Sequence, residues 1–279
     1  MKSLENQLDF MDEFLDIYLN RPFKNNTGGM KFNHSFSLYT MLKIINPKLV
    51  IESGIWKGHS TYLIEAAVPD AELVSLDLNL AFREHISNRV RYIEKDFNDI
   101  DWSTTENKNN SLIFFDDHQN CLERLKEMKW WGFNLAIFED NYPSGEGDAY
   151  SLKQVKEKSG HENIQLSNKY KPKKLKHRAK RYIEEKVLYK YYYRQNMIRK
   201  PNSVDLQGLN LNLKNYIELP PVFTTEFNQW DVSWEGNYKK SRDLITEENI
   251  DKFLKFKEFK NSAPYDEFDY GYITLVEID

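Results

Sequence analysis

Apolar residues recur along this chain with two different periods. Leu4, Leu8, Phe10, Met11, Phe14, Leu15 and Tyr18 fall at helical spacing, which predicts an amphipathic helix over 3–19. A turn-rich loop follows over 21–33. A second helix is predicted over 34–45, stopped by Asn46-Pro47. From residue 48 the pattern changes. Short apolar runs over 48–53, 71–77, 89–96, 111–117 and 133–140 read as strands, with helices over 61–68 and 120–131 between them. Strands alternating with helices predict an α/β fold: a doubly wound, mostly parallel sheet covered on both faces.

Beyond residue 150 this rhythm breaks. The segment 169–200 holds 13 Lys and Arg against two Glu, interleaved with Tyr, and reads as helical over 174–198. Strand-like pieces around Pro220-Pro221 occupy 216–234. A helix over 246–259 takes Thr246 as its N-cap, and a last strand covers 270–278. The division expected is N-terminal helices over 1–46, an α/β core over 47–150, a basic insertion or cap over 151–240, and a closing helix and strand over 241–279.

Composition changes this picture little. Charged residues at 29% and a hydrophobic set at 40% suit a soluble domain, and a net charge of −4 selects no partner. The single cysteine, Cys121, excludes an intrachain disulfide framework. The first twenty residues lack an apolar h-region and no run reaches 18 apolar residues, so the expectation is a cytoplasmic protein without a membrane span.

Candidate chemistry gathers at strand ends, where open parallel sheets bind ligands. "VIESGIWKGHS" (50–60) leaves the first strand through Gly54 and Gly58, which allow a sharp turn and close approach of a ligand. The second strand ends in Asp77, about 20 residues on, where an acid can accept ribose hydroxyls. The third ends in Asp96-Phe97, an acid and a ring suited to an adenine. "LIFFDDHQN" and "LAIFEDNYP" both end apolar runs in pairs of acids. Buried carboxylates are costly unless paired, hydrogen-bonded or bound to a metal.

Glu52-x-Gly54-x-x-x-Gly58-x-Ser60 resembles motif I of the class I S-adenosylmethionine-dependent methyltransferases. Asp77 and Asp96 match that family's ribose and adenine positions, and the resemblance covers roughly 45–145. It implies a Rossmann-like fold and S-adenosylmethionine as cofactor. Asp117-His118 and Asp140-Asn141 look like the strand ends of the catechol and macrocin O-methyltransferase-like branches. There the resemblance implies Mg2+ held by Asp117, Asp140 and Asn141, a hard donor set that suits an octahedral ion. The catechol-type lysine base is replaced here by Asn120. Asp116, Asp117 or His118 then stands as the catalytic base.

Plainer roles compete with each of these. The glycines could serve only the turn, Asp77 could cap a helix, and the acids could be solvated or cap the helix after them. His59 reads as a surface or supporting residue, Cys121 as packing, and Trp56 as cofactor wall or packing. Gly28, Gly29 and Met30 are either a lid or an inert loop. The basic segment is a solvated face, a cap selecting an anionic acceptor, or, last in rank, a nucleic-acid surface. The function expected is Mg2+-assisted O-methylation of a small hydroxylated acceptor of sugar or glycan-precursor type, with self-association left open. The alternatives are a hydroxylase-type oxidoreductase on the same fold and a non-catalytic protein binding a partner through the basic segment.

Overall fold

The computed structural model describes residues 4–23, 25–159, 202–230, 233–234 and 238–279. Its centre is a seven-stranded sheet: β1 (Leu49–Ser53), β2 (Glu72–Leu76), β3 (Val90–Ile93), β4 (Ser111–Phe115), β5 (Leu135–Phe138), β6 (Leu213–Glu218) and β7 (Thr274–Ile278), in the order β3-β2-β1-β4-β5-β7-β6. The first five strands are parallel, and β7 runs antiparallel between β5 and β6. The doubly wound, mostly parallel Rossmann-like sheet with N-terminal helices is borne out.

Alternation along each strand sends side chains to opposite faces. Val50, Leu112, Phe114 and Ile137 join one core with α1 (Met11–Leu19), α2 (Phe32–Ile45), α3 (His59–Ala67) and α7 (Leu254–Ser262). Leu49, Ile51, Ile113, Phe115 and Phe138 join the other, with α4 (Cys121–Trp130), α5 (Leu152–Lys156) and α6 (Ser203–Asn212). Strands buried on both faces explain the unbroken apolar runs of the sequence.

Several boundaries differ from the sequence expectation. The first helix winds as a 3-10 helix over Leu4–Phe10 before becoming α-helical. Thr246 does not cap a helix over 246–259; a 3-10 turn at Ile250–Lys252 intervenes and α7 starts at Leu254. The segment 151–240 is not wholly a cap. Leu213–Glu218 is the outer strand of the sheet, and α5 and α6 contribute Leu152, Val155 and Leu209 to the core under it. An alternating strand with half-buried residues at a sheet edge carries a weak sequence signal. The basic helix expected over 174–198 lies outside the described residues.

Asn33 joins these layers. Its side chain is fully buried at the start of α2, donates from Nδ2 to the carbonyls of Phe223 (2.9 Å) and Phe268 (2.7 Å), and accepts at Oδ1 from the amides of Val222 (2.9 Å) and Phe223 (3.2 Å). It thus pins the chain leaving β6 and the chain entering β7 to α2. Asn33→Leu would strand backbone groups in the interior. It should lower the unfolding free energy by about 2–5 kcal/mol in urea titration, and Asn33→Asp, which turns a buried carboxylate oxygen toward two carbonyls, by at least as much.

Candidate active site

The strand register aligns the carboxyl ends of the central strands. Ser53 lies opposite Leu76 and Phe115, and Phe115 opposite Phe138. The next residues, Gly54, Asp77, Asp116 and Glu139, therefore form a row along one edge. Gly54 has φ +96°, and a Cβ there would fall 2.0 Å from the Asp116 carbonyl oxygen, so only glycine fits. Gly58, at φ +90°, starts α3.

Asp77 closes the glycine turn. Its Oδ2 accepts from the amides of Ile55 (2.9 Å) and Trp56 (3.1 Å), and its Oδ1 from Asn79 (2.9 Å). Beside it a cavity of about 380 Å3 is lined by Ser53, Gly54, Trp56, Asp77, Leu78 and Asp96, among others. Oδ2 is filled by two amides, but Oδ1 accepts only one, so Asp77 can still accept a hydroxyl donor from a ligand there. Trp56 is half-exposed and packs against Phe82.

Other residues of the expected cofactor set lie elsewhere. Phe97 cannot flank an adenine: it is fully buried and stacks on Trp102 at 5.3 Å between ring centroids. Glu52 is buried beneath the turn, where it accepts from the hydroxyls of Thr61 (2.7 Å) and Ser75 (2.6 Å), with Ser60 also beside it; burial raises its carboxyl above the usual range. Glu52 and Ser60 shape the turn and do not line the cavity. His59 is not on the surface; it is buried and shares a hydrogen bond with Ser35 at 2.8 Å.

The expected Mg2+ set is not brought together. Asp117 turns toward α4, where its Oδ2 accepts from Arg124 Nε (2.9 Å) and the Ser53 hydroxyl (2.6 Å). The same buried guanidinium grips Asp96 through two bonds, at 2.8 and 2.5 Å, and holds its carboxyl below the usual range against the opposing effect of burial. Asn141 is fully buried; it accepts from the Lys153 amide (2.9 Å) and donates to the Tyr216 hydroxyl (2.8 Å). Asn120 caps α4 through the amides of Leu122 and Glu123. Cys121 packs in the core, and burial raises its thiol far above the usual range, so it is no nucleophile.

Asp116, His118 and Asp140 converge instead, with one ligand atom from each lying within 4.8 Å of the others. The strand pleat explains the exchange. Phe115 faces α4, so Asp116 faces the α2 side and Asp117 faces α4. Glu139 follows Phe138 with the same parity as Asp116 and meets His34 of α2 at 2.5 Å. His34 Nε2 accepts from the Gly271 amide (3.1 Å), so its proton sits on Nδ1 and is donated to Glu139. His34 was absent from the candidates because it opens a helix about a hundred residues away from the acids, with no local motif around it. These groups line a second cavity of about 340 Å3, which shares Gly28, Gly29, Asp116 and His118 with the first.

The electrostatics of the cluster call for a cation. Burial, then the charges of Glu139 and Asp140, push the Asp116 carboxyl well above its usual range. Burial does the same to Asp140, despite His118. Asp140 is 7% exposed, and its Oδ2 receives no hydrogen bond. The negative charge of Asp140 raises His118 well above an ordinary histidine, against the effect of burial. Its ring lies 3.5 Å from Asp140 and 3.0 Å from Asp148. His118 also holds φ at 53°, a left-handed conformation uncommon outside glycine and typical of functional strain. An orphaned carboxylate oxygen among mutually repelling acids and an imidazole fits a divalent cation.

No family model matches the chain, and no curated protein matches it. Among solved structures, one of CmcI with SAH is 14% identical over 43% of this chain and 66% of that chain, with a TM-score of 0.33. This chain thus spans just under two thirds of that structure. An O-methyltransferase from Bacillus cereus in complex with SAH is 14% identical over 50% of this chain and 68% of that one, at 0.31. An SAH-bound Podospora anserina methyltransferase is 13% identical over 97% and 87%, at 0.36. Likeness at this level assigns nothing to this chain. Its fold rests on its own strand order, and its chemistry must rest on its own residues.

The cluster makes a stability prediction. A carboxyl raised by folding contributes fully below its unfolded pKa and loses that contribution as pH rises toward the folded one. Asp116→Asn removes the loss at neutral pH. Without ligands, the variant should be more stable than the parent at pH 7 by on the order of 1 kcal/mol, and no more stable at pH 4. Thermal melts at the two pH values give the comparison.

Proposed function

We propose that this chain is an S-adenosylmethionine-dependent O-methyltransferase assisted by a divalent cation. The observation that carries the reading is the pair of cavities with a shared wall at Asp116 and His118. Group transfer needs two reactants held in contact across such a boundary. The cavity beside Asp77 takes the adenosyl part, with Asp77 Oδ1 accepting a ribose hydroxyl. Asp96, locked by Arg124, stands at the adenine end. The acceptor occupies the cavity beside His34, with its hydroxyl at the common wall. This division also requires the loop at Gly28 and Gly29, which borders both cavities.

Asp116, Asp140 and His118 are the proposed cation ligands, in place of Asp117, Asp140 and Asn141. When bound, the cation lowers the pKa of an acceptor hydroxyl. Mg2+ is the hard-ion choice for two carboxylates, whereas an imidazole in the set also admits Mn2+ or another transition ion. Glu139 stays a carboxylate beside the acceptor: against the effect of burial, the charge and hydrogen bond of His34 lower its carboxyl to about 2, which makes it a fixed negative charge and a weak base. Asp117 is committed to Arg124 and Ser53, and His118 is assigned to the cation, so neither is assigned as the base. The hydroxylase alternative would need two imidazoles on one metal. Both ring nitrogens of His34 are engaged, which leaves His118 alone at this wall among the described residues.

Calorimetry tests both halves. S-adenosylhomocysteine should bind the unmodified protein, and Asp77→Ala should weaken it by about 10- to 100-fold, the equivalent of lost hydrogen bonds to a charged acceptor. Unchanged affinity in that variant would remove the ribose assignment, and no binding at all would sink the cofactor.

Mn2+ provides the second probe. Asp140→Asn should abolish its binding while leaving S-adenosylhomocysteine affinity within about twofold. Asp117→Asn should leave Mn2+ binding in place. A reversal of these two results would restore the Asp117 set.

A further inference from the structure

A buried cation holds the wall of the cofactor cavity from behind. Arg124, in the first turn of α4, is 4% exposed and lines neither cavity. Its guanidinium lies 5.9 Å from the centre of the Phe115 ring and bonds carboxylates from two separate segments. Nη1 and Nη2 hold the two oxygens of Asp96, which follows β3, at 2.8 and 2.5 Å. Nε holds Asp117, which follows β4, at 2.9 Å. In the sheet β2 and β1 lie between those two strands. Both acids line the cavity beside Asp77. One side chain that touches no ligand thus sets two carboxylates that can.

The fork decides which way Asp96 faces. A planar guanidinium on both oxygens fixes the plane of the carboxylate, which a point charge cannot do. Oδ1 is then filled, by Arg124 Nη1 and by the Asn98 amide at 2.9 Å. Among the described residues Oδ2 accepts from Arg124 Nη2 alone, which leaves one lone pair there for a ligand. Burial raises the Asp96 carboxyl, but the guanidinium more than offsets it, so the group is an acceptor with no proton to give. An acceptor of fixed direction suits the exocyclic amine of a 6-aminopurine. It repels the carbonyl oxygen that a 6-oxopurine carries at the same place. Trp56 and Leu78, on the same cavity wall, supply apolar cover for a base.

We infer that Arg124 is a positioning residue of the cofactor cavity: by gripping Asp96 with both arms of its fork, it makes the cavity select adenine over hypoxanthine. The positive charge of Arg124 does not suffice for this role; the planar fork is required. The inference rests on the cofactor half of the methyl-transfer reading and adds a specificity to it.

Calorimetry on the full chain at about pH 7 compares S-adenosylhomocysteine with S-inosylhomocysteine, the same molecule with hypoxanthine in place of adenine. The unmodified protein should prefer the adenine compound by about 10- to 100-fold. Arg124→Lys keeps the charge and removes the fork; it should cut the preference to about threefold or less, chiefly by weakening S-adenosylhomocysteine. Arg124→Gln, a second route to the same loss, should behave alike. Glu127→Gln removes another partner of Arg124 (2.7 Å) but leaves the grip on Asp96, so the preference should persist. Melting curves on the same samples identify any unfolded variant, and a ratio of two affinities does not depend on the fraction of protein that is active. An undiminished preference in a folded Arg124→Lys or Arg124→Gln protein overturns the positioning role. Its loss in Glu127→Gln would trace the preference to the summed charge of the cluster and overturn the fork. Equal binding of the two compounds by the unmodified protein, or tighter binding of S-inosylhomocysteine, overturns the Asp96 contact and assigns that end of the cavity to Lys95, which also lines it. Binding of neither compound is a different result: it removes the cofactor reading, and this inference with it.

Discussion

Carboxylates at the buried edge of this sheet must be compensated, and the arrangement of the site depends on how each one is. An uncompensated ionised acid in a low-dielectric setting costs several kcal/mol, of order 1–3 even for one unmade hydrogen bond. Arg124 answers Asp96 and Asp117 together. His34 answers Glu139, and Ser75 and Thr61 answer Glu52. Asp116 and Asp140 have no comparable cation: His118 faces them, the Tyr142 hydroxyl donates to one oxygen of Asp140, and the other oxygen has no hydrogen-bond donor. On the α4 side the acids share one guanidinium, which pairs with Asp96, Asp117 and Glu127, whereas Asp116 and Asp140 on the other side have no such group.

That asymmetry separates two kinds of chemistry. On the first side, the acids are rigid, paired and placed around a cavity entered past a glycine turn, which suits recognition. On the second, the acids keep electrostatic demand in reserve, which suits binding of a positive charge or movement of a proton. The Gly54 backbone lies against the Asp116 carbonyl with no room for a side chain, so the two halves are held in van der Waals contact. Preorganisation of this sort costs stability, because mutually repelling carboxyls oppose folding.

The helices before the sheet matter more to the site than their position in the chain suggests. α2 supplies His34 to orient Glu139 and Asn33 to anchor both chain segments that flank the outer strands. The loop leading into α2 borders both cavities. The returning strand β7 begins just beyond Gly271, whose amide fixes the tautomer of His34. Residues far apart in sequence thus set the orientation of a single carboxylate.

Periodicity and turn chemistry along the chain determined much of this protein. Five parallel strands, their glycine turn and the clustering of acids at their ends follow from local pattern, since apolar runs and glycines act within a few residues. Asp77 stood out by its spacing from the glycine turn, but as a ribose acceptor or a helix cap; that it accepts the amides of the turn itself emerges only from the fold. The tertiary structure alone decided which acid of the first pair faces the cavity beside His34. In "DDH" the choice between Asp116 and Asp117 depends on the residue at which β4 stops and on the pleat that turns the next side chain toward α2 or α4, and a shift of one residue reverses it. Phe97 and Asn141 were misplaced for that reason, since a ring or an amide beside a strand end can face the core as readily as a ligand. His34, Arg124 and the edge strand over Leu213–Glu218 could not be found locally. Their partners come from distant segments, and only the folded sheet brings those charges close enough to need one another.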